Sequence, residues 1–323
     1  LNSKIEKMRR GIRSVFMLLI AGSLVMTSLE VSGQFEGKDE DALNAINTAV
    51  PFLTIAPDSR AGAMGDVGAA SLPDASSQHW NLAKYPFIDK QGGVAISYTP
   101  WLRNLIPDIN LAYLSGYYKI KDVQVVSASL RYFSLGNITF TDINGTVIRQ
   151  ANPNEFALDA GYSRLLTDNL SMGLSFRFIY SDLTAGQNTA DGQETKPGIS
   201  FATDLGLYYQ NDVEVGGRDA QWAFGAAFTN MGTPMSYTAN ATKVPIPTNM
   251  RIGGRFSYHI DEYNSISANL DINKLLVPTP PVMEEDTATG ELVVIRGKEA
   301  PNSVVAGMFQ SFYDAPGFDN GDG

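Results

Sequence analysis

The chain has 323 residues, a formal net charge of −10, 44% hydrophobic and 18% charged side chains, and no cysteine. Disulfides, zinc–thiolate sites and thiol nucleophiles are therefore excluded. The acidic balance argues against a nucleic-acid partner, and the length allows one large domain or two ordinary ones.

Residues 1–33 read as a secretory signal peptide. Lys4, Lys7, Arg9, Arg10 and Arg13 form a positive head, with Met8 the expected initiator; Val15 to Met26 is a short apolar core, and Val31-Ser32-Gly33 supplies small residues before Gln34. The core is shorter than the roughly 20 residues that a spanning helix needs. Without this leader 19 basic and 32 acidic side chains remain, and Gln34 becomes an N-terminal glutamine able to cyclise. Residues 34–92 are not strand-like. Residues 41–49 are predicted as one short helix, and residues 56–70 are rich in Gly and Ala with single charges.

From Gly93 onward the texture changes to two-faced segments separated by turn residues. In the clearest of them Leu170, Met172, Leu174, Phe176, Phe178 and Tyr180 share one face, and Ser171, Gly173, Ser175, Arg177 and Ser181 share the other. A period of two puts successive side chains on opposite faces of a sheet. Ten strands are predicted, at 93–99, 109–119, 124–134, 155–166, 170–182, 199–210, 220–231, 249–260, 264–274 and 302–313. The gaps at 120–123, 167–169, 211–219 and 261–263 are short, and those at 135–154, 183–198, 232–248 and 275–301 are long. Short turns at one rim and long loops at the other are the pattern of an outer-membrane barrel. The expected fold is thus all-β, an antiparallel transmembrane barrel over residues 93–323 preceded by a periplasmic or lumenal segment over 34–92.

A cation facing the hydrocarbon midplane costs about 2–4 kcal/mol. Arg131, Arg177, Arg251, Arg255, Asp159, Asp204 and Asp271 mostly fall on the polar face, which is therefore assigned to the interior. Tyr98, Trp101, Tyr113, Tyr117, Tyr118, Tyr180, Tyr208 and Tyr209 lie near strand ends as candidates for interfacial aromatic girdles, with ordinary sandwich packing the competing reading. The last residues, 317–323, read as a loop, and an open sheet edge is not viable in lipid; further strands are expected beyond Gly323, with completion of the sheet by a partner as the alternative.

The stretch Phe52-Leu53-Thr54-Ile55-Ala56-Pro57-Asp58-Ser59-Arg60-Ala61-Gly62-Ala63-Met64-Gly65-Asp66-Val67-Gly68-Ala69-Ala70 resembles the start of mature PorV/PorQ family proteins. Ser77-Gln78-His79-Trp80-Asn81-Leu82-Ala83-Lys84-Tyr85 is similar to the motif that follows, with Leu82 where the family usually has proline. The similarity runs through Tyr98-Thr99-Pro100-Trp101-Leu102 and the strand series to about residue 314. It implies a FadL-like barrel of 14 strands, ten of them here, with the N-terminal segment folded into the lumen. It also implies a role in type IX secretion in Bacteroidetes. Such a protein works beside a giant translocon barrel of the SprA/Sov type, binds the C-terminal signal domain of cargo, and passes cargo to the attachment complex.

Within that frame Asp58, Arg60, Gly62, Gly65, Asp66, Asn81, Arg251 and Arg255 are candidate plug and lumen residues. Asp58, Arg60 and Asp66 are expected to pair with lumenal charges, with a periplasmic linker as the alternative. Trp101, Leu102, Leu276, Val277, Pro280 and Pro281 are candidate cargo-contact residues in apolar, proline-stiffened loops, with ordinary loops packed on their own barrel rim as the alternative. Neither of the two histidines, His79 and His259, lies in a catalytic pattern, and Glu284-Glu285-Asp286 is read as a solvated loop ahead of a calcium site. No nucleophile elbow, phosphate loop or dinucleotide fingerprint is present, so no catalytic residue, metal or cofactor is assigned. Outer-membrane lipid is the expected surrounding. The competing function is a FadL-like transporter of hydrophobic small molecules, with an esterase built across strands a third and weaker reading.

Overall fold

The structure is a computed structural model and describes residues 45–104, 106, 108–141, 144, 146–186, 193–238, 243–285, 292–299, 301 and 303–314. The expected leader, residues 34–44, Leu105, Pro107 and Asp286 lie outside the described residues, as do the side chains of Glu284 and Glu285.

The alternating segments form one antiparallel sheet. Its strands are β1 (Gly92–Pro100), β2 (Asn110–Lys121), β3 (Gln124–Ser134), β6 (Asn154–Leu165), β7 (Leu170–Asp182), β8 (Gly198–Glu214), β9 (Asp219–Gly232), β10 (Asn249–His259) and β11 (Ser265–Leu275), hydrogen-bonded in that order. Two hairpins stand outside it: β4 (Ile138–Thr141) with β5 (Val147–Ala151), and β12 (Val282–Glu285) with β13 (Leu292–Arg296). Each strand neighbours the one before it, the up-and-down order of a barrel wall. Among the described residues β1 and β11 form no ladder with each other, so the sheet is open there. The connections after β2, β6, β8 and β10 are tight, and those after β1, β3, β7, β9 and β11 are long and carry both hairpins. The two rims are therefore unlike.

Burial inverts that of a water-soluble sheet. Ser171, Ser175, Ser181 and Ser200 are 0% exposed, whereas Phe176 on the opposite face is 66% and Ile96 82% exposed. The polar side chains look inward and the apolar ones outward, as lipid-facing barrels require.

Nine of the ten predicted strands are present. The segment at 302–313 instead forms helix α3 (Val304–Gln310), capped by the Ser303 side chain. The reason is visible in its pattern: Val304, Val305, Met308 and Phe309 recur at helical rather than alternating spacing. The helix predicted over 41–49 also fails where it can be judged. Residues 45–49 are not helical, because Val50 precedes Pro51, which bars it from the right-handed helical region; it adopts φ 50° and ψ 51°. Part of the girdle assignment needs the same correction. Tyr113, Tyr117 and Tyr208 are buried on the inner face, while Tyr98, Tyr118 and Tyr209 are exposed on the outer. Each follows the parity of its own strand rather than its nearness to a strand end.

Residues 45–91 lie against the polar face. They contain a 3-10 turn (Pro51–Thr54), α1 (Ser59–Ala63), α2 (Ser77–Trp80) and a second 3-10 stretch (Leu82–Phe87). At the long-loop rim Ala49, Val50, Phe52 and Leu53 pack with Leu111, Phe133, Ala157, Ile179, Met235 and Ile246, and the Ala49 N–H donates to the carbonyl of Pro245 at 2.9 Å. At the short-turn rim Leu82 and Tyr85 pack with Tyr117 and Val125, and Ala83 with Tyr208 and Ala223. The segment therefore runs the height of the wall, from the long-loop rim down to the short-turn rim where β1 begins.

Candidate functional site

Two buried polar systems occupy the inner face. The first stitches the wall to itself. Register sets Asp159 on β6 opposite Arg177 on β7, and Asp204 on β8 opposite Ser175. The Arg177 Nε donates to Asp159 Oδ1 at 2.5 Å and its Nη2 to Asp204 Oδ2 at 2.8 Å, while its Nη1 reaches Asn230 Oδ1. Ser129 Oγ donates to the other oxygen of Asp159 at 2.6 Å, and the Asn230 N–H to Asp204 Oδ1 at 2.7 Å. Asn230 sits at φ 57°, where the β8–β9 register slips between Thr203 and Leu205. Asparagine tolerates that left-handed conformation better than most residues, and a β-bulge re-aims side chains locally. Here the irregularity turns Asn230 into the charge cluster.

The second system joins the wall to the inner segment. Asp271 on β11 accepts the N–H groups of Gly68 and Ala69 at 2.7 and 2.8 Å through one carboxylate oxygen. It gets there across two glycines in the same row, since Gly253 pairs with both Asp271 and Gly225. A Cβ on Gly225 would lie 1.9 Å from the carbonyl oxygen of Ala69, and one on Gly253 would lie 2.0 Å from Asp271 Oδ1. The small side chains let the segment's main chain approach the wall this closely. Arg255 donates from Nε to the Ala70 carbonyl at 3.1 Å and from Nη2 to Gln221 Oε1 at 2.5 Å. Arg251 donates to the Asp66 carbonyl at 2.9 Å and lies over the Trp80 ring at 4.4 Å. Asn81 bridges the carbonyls of Ala69 and Leu207 at 3.0 and 2.9 Å. Ser115 holds the Ala75 carbonyl at 2.9 Å, and Ser171 that of Ala83.

The expected charge pairing of the segment is not what forms. Arg60 pairs with Asp74 at 2.6 Å, inside the segment itself. Asp58 caps α1 through the Ala61 N–H and accepts the Trp80 Nε1–H at 2.6 Å, and Asp66 offers its backbone carbonyl rather than its carboxylate. The wall grips mainly main-chain groups, which every residue supplies, with side-chain contacts to Gln78, His79 and Trp80 beside them, so no charge match is needed. Gly65 adopts φ 79°, the left-handed turn that ends α1, and Gly62 lies within α1.

Two titratable groups of the segment face the interior, Lys84 buried and His79 half-buried. Burial pulls the Lys84 ammonium down to about 8, with Arg60 adding to the fall and Asp74, Asp271 and Asp58 opposing it; its Nζ donates to Ser71 Oγ at 3.0 Å. Burial, reinforced by Arg131 and Arg251, holds the His79 imidazole well below its ordinary range. It is neutral, and its Nδ1 accepts from Arg131 Nη2, which fixes the tautomer with hydrogen on Nε2. Arg131 also donates to the Leu53 carbonyl at 2.7 Å.

At the long-loop rim the cargo-contact candidates divide. Trp101 and Leu102 are exposed, at 37% and 53%. Leu276 and Val277 are only 3% exposed, a correction to their reading as an open docking edge: the Leu276 N–H donates to the Thr248 carbonyl at 2.8 Å and draws the chain inward. Pro280 and Pro281 are half-buried. Exposed apolar side chains stand instead on the β4–β5 hairpin (Val147, Ile148), on β13 (Val293, Ile295) and on α3 and the turn after it (Phe309, Phe312, Tyr313). Among the described residues no cluster of His, Cys, Asp and Glu is placed to hold a metal ion, and no helix is long and apolar enough to cross a membrane, which says nothing of strands.

A barrel-type antiparallel wall with its own preceding segment laid along the polar face is the class of protein that this geometry defines. The family described as type IX secretion system protein PorV matches residues 37–282, and the chain belongs to that family. A search among curated proteins found no match.

Proposed function

We propose that this chain is a non-catalytic outer-membrane component of the type IX secretion machinery. In this reading the apolar outer face is solvated by lipid, the short turns face the periplasm and the long-loop rim faces the cell exterior. That rim receives the C-terminal signal domain of cargo leaving a SprA/Sov-type translocon barrel and hands it to the attachment machinery. The occupied inner face carries the choice. A transporter of hydrophobic small molecules needs a continuous apolar path through the interior, and here the inner face is polar and residues 45–91 lie along it, fixed by Asp271, Arg255, Arg251, Asn81 and Ser171. What remains for partners is the rim, where exposed β-branched and aromatic side chains suit association with another β-rich domain.

Affinity capture from native outer membranes tests this reading. The expected result is recovery of a very large barrel protein together with a cargo signal domain, and loss of the signal domain when Val147, Ile148 and Phe309 are changed to serine. Recovery of neither, combined with uptake of long-chain fatty acids, would establish the transporter instead.

A further inference from the structure

We propose that the outer face of the wall holds a built binding groove for an acyl chain of an outer-leaflet lipid; the inference rests on the membrane placement proposed above. A groove of about 660 Å³ lies between the sheet and helix α3, within the range of about 300–1,000 Å³ typical of small-molecule sites. Leu158, Phe176 and Phe201 form its floor, and Met231, Val304 and Met308 its sides.

The dent has a structural cause. It lies where the β8–β9 register slips, beside the left-handed Asn230. That distortion is pinned from inside by the Asn230 Nδ2–H donating to the Pro247 carbonyl at 3.0 Å, and by Thr248 Oγ1 donating to the Asn230 carbonyl at 2.8 Å. The far wall is anchored separately. Asp314 accepts the Thr279 N–H at 2.8 Å, and Gln310 Nε2 donates to the Glu299 carbonyl at 3.2 Å, which holds α3 against the loop below it.

The chemistry of the lining selects the occupant. The groove reaches Arg177 through the bulge, but all three nitrogens of that guanidinium are already engaged by Asp159, Asp204 and Asn230. The lining therefore has no cation free for an anionic headgroup, and it fits a flexible hydrocarbon. Lipid is the medium on this face of the wall. The groove lies at the long-loop end of β8 and β9, which in the orientation proposed above places it in the outer leaflet.

The test uses the full chain in liposomes containing a phospholipid with a photoreactive group on its acyl chain. Cross-linked residues are mapped by mass spectrometry. Cross-links at Phe201, Met231 and Met308 should exceed those at the outward-facing control residues Phe224 and Ile252 at least fivefold. Ala160→Trp, which fills the groove from an exposed position, should bring the groove yield down to the control level while heat-modifiable gel migration stays unchanged. Equal yields at groove and control residues, or no fall in Ala160→Trp, would overturn the groove while leaving the membrane placement standing. No cross-links anywhere, controls included, would overturn the membrane placement and the groove with it.

Discussion

Two regions of one inner face use buried arginine in opposite ways. On β6 to β8, Arg177 is bracketed by Asp159 and Asp204, strand to strand. On β9 to β11, Arg251 and Arg255 have no carboxylate within ion-pair distance among the described residues and spend hydrogen bonds on main-chain carbonyls of the inner segment. The first arrangement satisfies its charges within the wall, while Ser171 and the Leu207 carbonyl on the same strands still hold the inner segment. The second makes the wall depend on a particular path of foreign backbone, read by shape rather than by charge. One region is thus architecture, and the other is a receptor for residues 66–70.

The sharpest way to break the comparison is to remove Arg177. Arg177→Met leaves two carboxylates buried together, and losing one side of a buried ion pair costs about 3–5 kcal/mol. The expected outcome is failure of the barrel itself, seen as lost heat-modifiable migration. Gly225→Leu should do the converse. The wall should survive while Ala69 is driven off it, a clash of about 1–3 kcal/mol that appears as new protease cleavage confined to residues 45–91.

Lys84 sharpens the contrast through pH. Its docked value is about 8 against an ordinary 10.5, so below pH 8 both docked and undocked forms hold the proton and the full burden, about 3 kcal/mol, opposes docking. As pH rises from 8 to 10.5 the docked lysine is neutral while the free one still binds a proton, and the burden is relieved. Protease resistance of the segment should increase over that window, and Lys84→Met should be more resistant at pH 7 and lose the increase. The smallest perturbation is a label. The chain has no cysteine, so Asn47→Cys and Glu262→Cys, both at exposed positions, report single positions without disturbing either region. An impermeant maleimide on intact cells should mark Asn47→Cys, at the long-loop rim, and spare Glu262→Cys, in a short turn.

Much of the wall was legible because its signal is local. Alternation from Leu170 to Tyr180 fixes a strand and its two faces without knowledge of any neighbour, and the cost of charge in hydrocarbon tells which face turns inward. Helix α3 was misread because five apolar residues in seven, Val304, Val305, Ala306, Met308 and Phe309, carry no clean period of two, and a strand was written over a helical spacing. The grip on the inner segment was hidden for a different reason. Asp271, Gly253 and Gly225 become one feature only through cross-strand register, and the burial of Lys84 and His79 exists only once residues 45–91 are inside. No window of sequence contains both partners. Val147 and Ile148 were missed because a few apolar residues in a long loop look like any others until the loop is seen to project, and Phe309 because it falls inside the strand predicted at 302–313.

The path of residues 45–91 also sets an order of events in biogenesis. Once the staves close, a segment that runs from one rim to the other and continues into the first stave could enter only by being drawn lengthwise past Arg255 and Asp271. The expected order is that it is laid down while the staves are still being joined. The segment then acts as a mandrel, and a variant that cannot hold it should be slow to mature even where the finished cylinder would have been stable.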